Sequence, residues 1–273
     1  MNQITDHEYQ FNPRVAVGDV DPYIRRATAA SATARDLFDA DLDVRYGAGP
    51  LMTCDVFPAE AQDSPVHVFV HGGYWRGRDK ADYSFLANTL VGEGITTVVV
   101  NYDLCPTVTV DAIVGEVMAF FQWLQNRFAP RHPRVVASGH SAGAHLIAMA
   151  DIRQRQQGLA GLAIDHAVLI SGLYDLRPVL KVSVNETIGL TAPMAEELSP
   201  ALHGVRTSMP VDVVVGGAES QAWIGQSRDY ARQVGALNGC RVLDGHDHYS
   251  IMEELMSTDT TLSRLLIDRS LRA

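Results

Sequence analysis

Cysteine is scarce in this chain. Cys54, Cys105 and Cys240 are the three present, odd in number and far apart, with no Cys-x-x-Cys among them. That argues against a disulfide framework and against a structural zinc site. Basic charge is also short. Twenty-two Lys and Arg against 32 Asp and Glu leave a net charge of −10, and the basic residues are scattered. Such a chain has no electrostatic hold on nucleic acid or on an anionic membrane. No apolar run is long enough to span a bilayer, and residues 1–10 are polar, with Asp6 and Glu8, unlike a signal peptide. The expectation is a soluble cytoplasmic protein. Internal repeats and low-complexity segments are missing. No Gly-x-Gly-x-x-Gly follows a strand candidate, which counts against a dinucleotide enzyme.

What is abundant is apolar: 47% of 273 residues, enough to build one large α/β domain. Residues 1–45 carry no strand pattern. Residues 23–42 read as an Ala-rich helix entered by Asp21-Pro22. Residues 43–57 look like an antiparallel edge hairpin around Gly-Ala-Gly-Pro. From there strands and helices alternate. Strand candidates lie at 65–70, 95–101, 135–137, 166–171, 211–215 and 240–243. Helix candidates lie at 81–93, 111–128, 144–157, 220–237 and 250–271. Repeated βα units predict a mostly parallel central sheet with helices on both faces and functional loops at the carboxyl ends of the strands. Residues 172–209 are long for a crossover and broken by prolines, so they are expected to form a lid. The domain reading is one unit, 1–273, with a helical extension over 1–45 and a lid insertion over 172–209.

The chain is organised around 135–146, Val-Val-Ala-Ser-Gly-His-Ser-Ala-Gly-Ala-His-Leu. An apolar strand runs into Gly139-His140-Ser141-Ala142-Gly143, and a helix-forming run follows. Glycines on both sides let strand and helix approach closely around a strained turn, which exposes the serine hydroxyl. Ser141 is therefore a candidate nucleophile. His71-Gly72-Gly73-Tyr74-Trp75 follows the first buried strand. Its unshielded N–H groups, from Gly72, Gly73 and Tyr74, can face an oxyanion together with Ala142 N–H. His71 reads as a tether for that loop.

A serine nucleophile needs a base, and the base an orienting acid, in the chain order Ser, acid, His. Of ten histidines, position favours His248 in Gly245-His246-Asp247-His248-Tyr249, with His246 as the alternative. The acid is expected after the strand at 211–215, where Glu219 is the carboxylate of the loop; Asp212, Asp175 and Asp247 are its rivals. His246-x-His248 lacks a third ligand at metal-type spacing. No metal and no cofactor is expected.

Together these motifs resemble the α/β-hydrolase arylformamidases, the kynurenine formamidases. The resemblance runs from about residue 40 onward through His71-Gly72-Gly73-Tyr74-Trp75, the Ser141 elbow, Ser171-Gly172-Leu173-Tyr174-Asp175-Leu176, Asp43-Val44-Arg45-Tyr46-Gly47, Ser199-Pro200 and His248 with its aromatic neighbour. It implies the α/β-hydrolase fold, a Ser141–acid–His248 triad and removal of a formyl group from an aryl amine such as N-formyl-L-kynurenine. Tyr74, Trp75 and Tyr174 are candidates to hold the aromatic ring, and Arg177 is a candidate for a substrate carboxylate. Trp223 and Asp103 depart from the family pattern, where phenylalanine and arginine are usual, which points to an altered acyl pocket or aryl substrate. The expected partner is a small aromatic amide or ester, with a homodimer left open. Competing readings are a carboxylesterase with the same triad and a ligand-binding protein on a hydrolase scaffold.

Overall fold

Runs of β-branched residues make the centre of the protein. In a computed structural model, which describes residues 6–129, 131–204 and 207–272, Thr96-Thr97-Val98-Val99-Val100 and Val66-His67-Val68-Phe69-Val70 are buried along their whole length. Strands with no solvent face belong inside a sheet covered on both sides. Among the described residues eight strands form one sheet: β1 (Asp41–Arg45), β2 (Thr53–Phe57), β3 (Val66–Val70), β4 (Thr96–Val100), β5 (Val135–His140), β6 (His166–Ile170), β7 (Val211–Gly216) and β8 (Cys240–Leu243). Their spatial order is β1-β2-β4-β3-β5-β6-β7-β8. β1 and β2 run antiparallel at the edge, and β4 through β8 are parallel.

Alternation along the strands divides the core. Val66, Val68, Val70, Val213 and Val215 face α5 (Val110–Phe128), α6 (Ala142–Gln156) and α9 (Gln221–Val234). Phe69, Val99, Val168 and Val214 face α3 (Asp21–Leu37), α4 (Leu86–Leu90) and α10 (Thr261–Leu271). The sheet thus carries helices on both faces, as the sequence pattern requires.

Three helices differ from expectation. α3 stops at Leu37 because Phe38 turns extended and sets its ring edge-on to Phe57, centroids 6.5 Å apart. The helix expected at 81–93 is a string of short turns around α4, entered by an Asp79–Asp82 capping box and closed by Gly94 at φ 78°. The helix expected at 250–271 is divided, because Thr260 caps a new start for α10.

Segment 172–209 does not sit over the sheet as a lid. Its described residues include two short α-helices, α7 (Asn185–Ile188) and α8 (Ala192–Glu197), and two 3-10 turns, Arg177–Lys181 and Pro200–Leu202, and its Leu173, Leu176, Val179, Ile188 and Leu198 are buried in the α5–α6 side of the core. His145 of α6 donates from Nε2 to Leu198 O at 2.8 Å. An insertion this apolar has to bury its side chains and becomes part of the core. The covering role falls to the N-terminal segment. α1 (Asp6–Phe11), α2 (Pro13–Val17) and α3 cross the carboxyl ends of the strands and are tied down at three loops. Tyr74 Oη donates to Phe11 O at 2.5 Å, Ser220 Oγ to Gln10 O at 2.6 Å, and Tyr23 Oη to Asp247 Oδ2 at 3.2 Å.

Candidate active site

Every candidate catalytic residue leaves the carboxyl end of a parallel strand. Ser141 follows β5 and stands at φ 55°, ψ −118°, a backbone geometry that an L-residue rarely adopts. The flanking glycines make the turn physically available. A Cβ on Gly139 would lie 2.5 Å from Gly143 C, and a Cβ on Gly143 would lie 2.0 Å from Val70 O. Neither site has room for a methyl group. Ser141 N–H donates to Ile170 O at 2.8 Å, which locks the turn to β6. Ala142 is the first residue of α6, so its N–H has no acceptor within the helix.

The loop after β3 presses against this turn. A Cβ on Gly72 would stand 2.9 Å from His140 O and 3.1 Å from Ser141 Cβ, and Gly73 sits at φ 112°. His71 is fully buried, within 2.7 Å of Gly72 O and 3.0 Å of Asn101 Oδ1, and stacks on Tyr102 at 4.3 Å. It holds the glycines in place, as the sequence led one to expect.

His248 and Glu219 meet. Glu219 Oε2 accepts from His248 Nδ1 at 2.7 Å. Its other oxygen, Oε1, accepts from Ser171 Oγ at 2.5 Å and from Gly216 N–H at 2.8 Å. Glu219 and His248 are 8% and 5% exposed, so the carboxylate is fixed by neutral donors in a nearly dry setting. Trp223, a departure from the family pattern, packs edge-on to the His248 ring at 4.8 Å and donates from Nε1 to Ser171 O at 2.7 Å. It therefore braces the His248 ring and the Ser171 turn. Asp103, the other departure, accepts from Leu51 N–H at 2.7 Å, away from the cavity.

Rival residues are committed elsewhere. His246 lies 3.4 Å from Glu254, Asp175 pairs with Arg177 at 2.7 Å, and Asp247 caps the turn at Tyr249 and Ser250. Asp212 pairs with His166 at 2.8 Å and with Arg269 at 2.6 Å near the opposite end of the sheet. Among the described residues no group of three His, Cys, Asp or Glu side chains is placed to hold a metal ion.

Ser141 and His248 open into one cavity of about 350 Å³, with Gly73, Tyr74 and His140. No hydrogen bond joins them among the described contacts, a looseness common before substrate aligns the pair. The roof comes from Asn12, Pro13, Arg14, Tyr23, Ile24, Ala27 and Thr28, and Tyr249, Met252 and Met256 complete the wall. Among the described residues of 172–209, the lining takes Val184 alone. Two of the three aromatics expected to hold substrate lie outside. Trp75 is fully buried and donates from Nε1 to His145 Nδ1 at 3.2 Å, joining the glycine loop to α6. Tyr174 is fully buried and stacks on Tyr230 with centroids 4.0 Å apart. Tyr74 does line the cavity, and its aromatic companions are Tyr249, Tyr23, Tyr83 and Phe85. Arg177 is not part of the lining.

Sequence reasoning missed two residues. Ser171, at φ 49°, aims its hydroxyl at Glu219. His140 donates from Nε2 to His248 O at 3.0 Å, and its ring lies 4.6 Å from that of His248. Burial, then the neighbouring His248, pushes the His140 pKa well down, so the ring is neutral. Its position within the elbow was the available signal.

The described geometry brings a serine on a strained turn, a histidine and a carboxylate together at the carboxyl ends of the parallel strands. Residues 67–238 match a family profile described as alpha/beta hydrolase fold, and the chain is an α/β-hydrolase. Among solved structures, a putative thioesterase from Silicibacter sp. TM1040 is similar at 28% identity and TM-score 0.83, covering 96% of this chain and 99% of its own. A Pyrobaculum calidifontis esterase shares the fold at TM-score 0.71 and 17% identity, covering 98% of each chain. The chain is 31% identical to the kynurenine formamidase of Salmo salar, over 95% of this chain and 94% of that one. It is 33% identical to that of Drosophila melanogaster over 82% and 79%. The chain belongs to the kynurenine formamidase family.

Proposed function

We propose that the protein hydrolyses aryl formamides, N-formyl-L-kynurenine first among them, through a formyl-serine intermediate. One observation carries this reading: Ser141 and a histidine held by a carboxylate open into the same aromatic-lined cavity. Relationship to the kynurenine formamidases supplies the acyl group.

The roles follow from the parts. His248 Nε2 takes the Ser141 proton as Oγ attacks the formyl carbon. The oxyanion forms against the N–H groups of Gly72, Gly73 and Ala142, each such donor being worth roughly 10²–10³ in rate. His248, charged and facing Glu219, returns the proton to the leaving nitrogen, and the C–N bond breaks. Water, deprotonated by His248, then cleaves the formyl-serine to formate and free serine. No cofactor or metal enters the scheme. Tyr74 and Tyr249, rather than Trp75 and Tyr174, flank the leaving ring. The three cysteines are unpaired, which suits the cytoplasm.

The test is a panel of formyl, acetyl and butyryl anilides beside nitrophenyl esters of the same acyl lengths. Formyl anilides should show the highest kcat/KM, with acetyl reduced but measurable, since one methylene discriminates only roughly 10- to 200-fold. Good turnover of short esters with every anilide inert would replace this reading with a carboxylesterase.

A further inference from the structure

Three guanidinium groups, of Arg14, Arg76 and Arg78, line the cavity that holds Ser141. In a chain of net charge −10 this is a local reversal of sign. Two carboxylates, Asp82 and Glu253, share the lining, and both are engaged. Asp82 stands 3.7 Å from Arg78, and Glu253 is paired with Arg26. Arg14 and Arg76 have no carboxylate partner among the described residues. They arrive from independent parts of the chain. Arg14 is carried by α2 in the roof, and Arg76 stands on the loop two residues beyond Tyr74. All three act on one hydroxyl: burial pushes the Tyr249 phenol up, Arg78 and Arg14 pull against it, Asp247 adds to the rise, and Arg76 pulls against it more weakly. The positive groups therefore converge on the wall next to His248.

We propose that Arg14 and Arg76 form a carboxylate clamp in this cavity, so that the protein selects aryl formamides whose leaving amine bears a free carboxylate. The clamp rests on the proposed reaction for its substrate and deepens it. Guanidinium is suited to the task because its planar fork meets both oxygens of a carboxylate. Uncommitted arginines leave that fork free, whereas the Arg78–Asp82 pair is already balanced. Binding at a group remote from the scissile bond holds the formyl carbon over Ser141. The clamp also gives the substrate carboxylate a local positive partner in a chain with ten excess negative charges. Because both side chains are exposed at the mouth, added salt should weaken the preference.

The deciding quantity is a ratio: kcat/KM for N-formyl-L-kynurenine divided by that for N-formylkynuramine, formylated on the same aryl nitrogen and lacking only the carboxylate. In Arg14→Ala/Arg76→Ala this ratio should fall roughly 10- to 100-fold, the worth of a charge-assisted hydrogen bond or two. Arg76→Lys should recover part of it, and Arg177→Ala, outside the cavity, should leave it at the parent value. An unchanged ratio, or equal losses on both substrates, overturns the clamp. A second measurement does not depend on formamide turnover. Ser141→Ala protein should bind L-kynurenine more tightly than kynuramine, which lacks the carboxylate, and the preference should vanish when Arg14 and Arg76 are also replaced. Equal binding of the two by Ser141→Ala protein overturns the clamp. A parent that cleaves esters but no formamide removes the proposed reaction instead, and calorimetry still decides the clamp.

Discussion

Two buried histidine–carboxylate pairs sit near opposite ends of the same sheet. His248 and Glu219 meet at 2.7 Å beyond the carboxyl ends, and His166 and Asp212 at 2.8 Å near the amino ends. By distance and burial they are nearly alike. Their neighbours separate them. Asp212 also binds the guanidinium of Arg269, so its charge is already balanced. Glu219 is held by a hydroxyl and a backbone N–H, which fix it and leave its charge for an imidazolium. Beside His248 lies a cavity with a serine; His166 and Asp212 line neither described cavity. A pair becomes useful for proton transfer when its anion is unspent and its histidine can reach a substrate.

The comparison can be broken by substitution. The largest effect is expected at the upper pair. Ser141→Ala and His248→Ala should each lower turnover by roughly 10⁴-fold or more in folded protein, measured on an aryl formamide. Activity within tenfold of the parent would remove that residue from the mechanism. Glu219→Gln should come next, with a loss of up to about 10⁴-fold, because the imidazole loses its orienting anion. If Glu219→Gln were healthy and Asp212→Asn dead, the two pairs would have been assigned the wrong way round.

Smaller effects sharpen the contrast. Ser171→Ala removes one of the neutral donors on Glu219 and should lower kcat by roughly 10-fold, with circular dichroism unchanged. Asp212→Asn should leave kcat/KM within about twofold and cost stability instead, about 3 kcal/mol for breaking a buried pair. Its pH dependence has a definite sign. Burial pushes the Asp212 carboxyl up, but His166 and Arg269 more than offset this and hold its pKa well below the usual carboxylate range. The stability it contributes is therefore complete above the unfolded carboxylate value of about 3.9 and is lost as pH falls toward the folded value. Denaturant melts at pH 7 and pH 3 should show the gap between parent and Asp212→Asn narrowing in acid. A gap that widened would reverse the linkage. His246→Ala should change activity least, by no more than about threefold, since its ring reaches Glu254 and not the cavity.

The sequence located strands and loop ends well because burial on both faces leaves a continuous β-branched run, as at 96–100. Once the strands were placed, the loops after three of them offered Ser141, Glu219 and His248 as candidates, and the structure brings these three side chains together. Side-chain direction was not legible. Trp75 and Tyr174 sit in motif positions beside reactive residues, yet both point into the core, where the Trp75 N–H is met by His145 and the Tyr174 ring stacks on Tyr230. The cover was also misplaced. A long insertion at the correct end of the sheet reads as a lid from its length, and length says nothing of how many of its side chains must be buried. The α1–α2 roof gave no periodic signal, since helices of six and five residues are too short to show one.

The roof is fastened at Tyr74, Ser220 and Asp247, which neighbour Gly73, Glu219 and His248 in sequence. A thermodynamic reciprocity follows from these three anchors. Any ligand that touches both the roof and the loops beneath it favours the docked arrangement, and docking of the roof must favour that ligand by an equal factor. Occupancy of the cavity and attachment of the first two helices are then one coupled equilibrium. A force, a tag or a binding protein that pulls on residues 6–17 acts on affinity without touching Ser141.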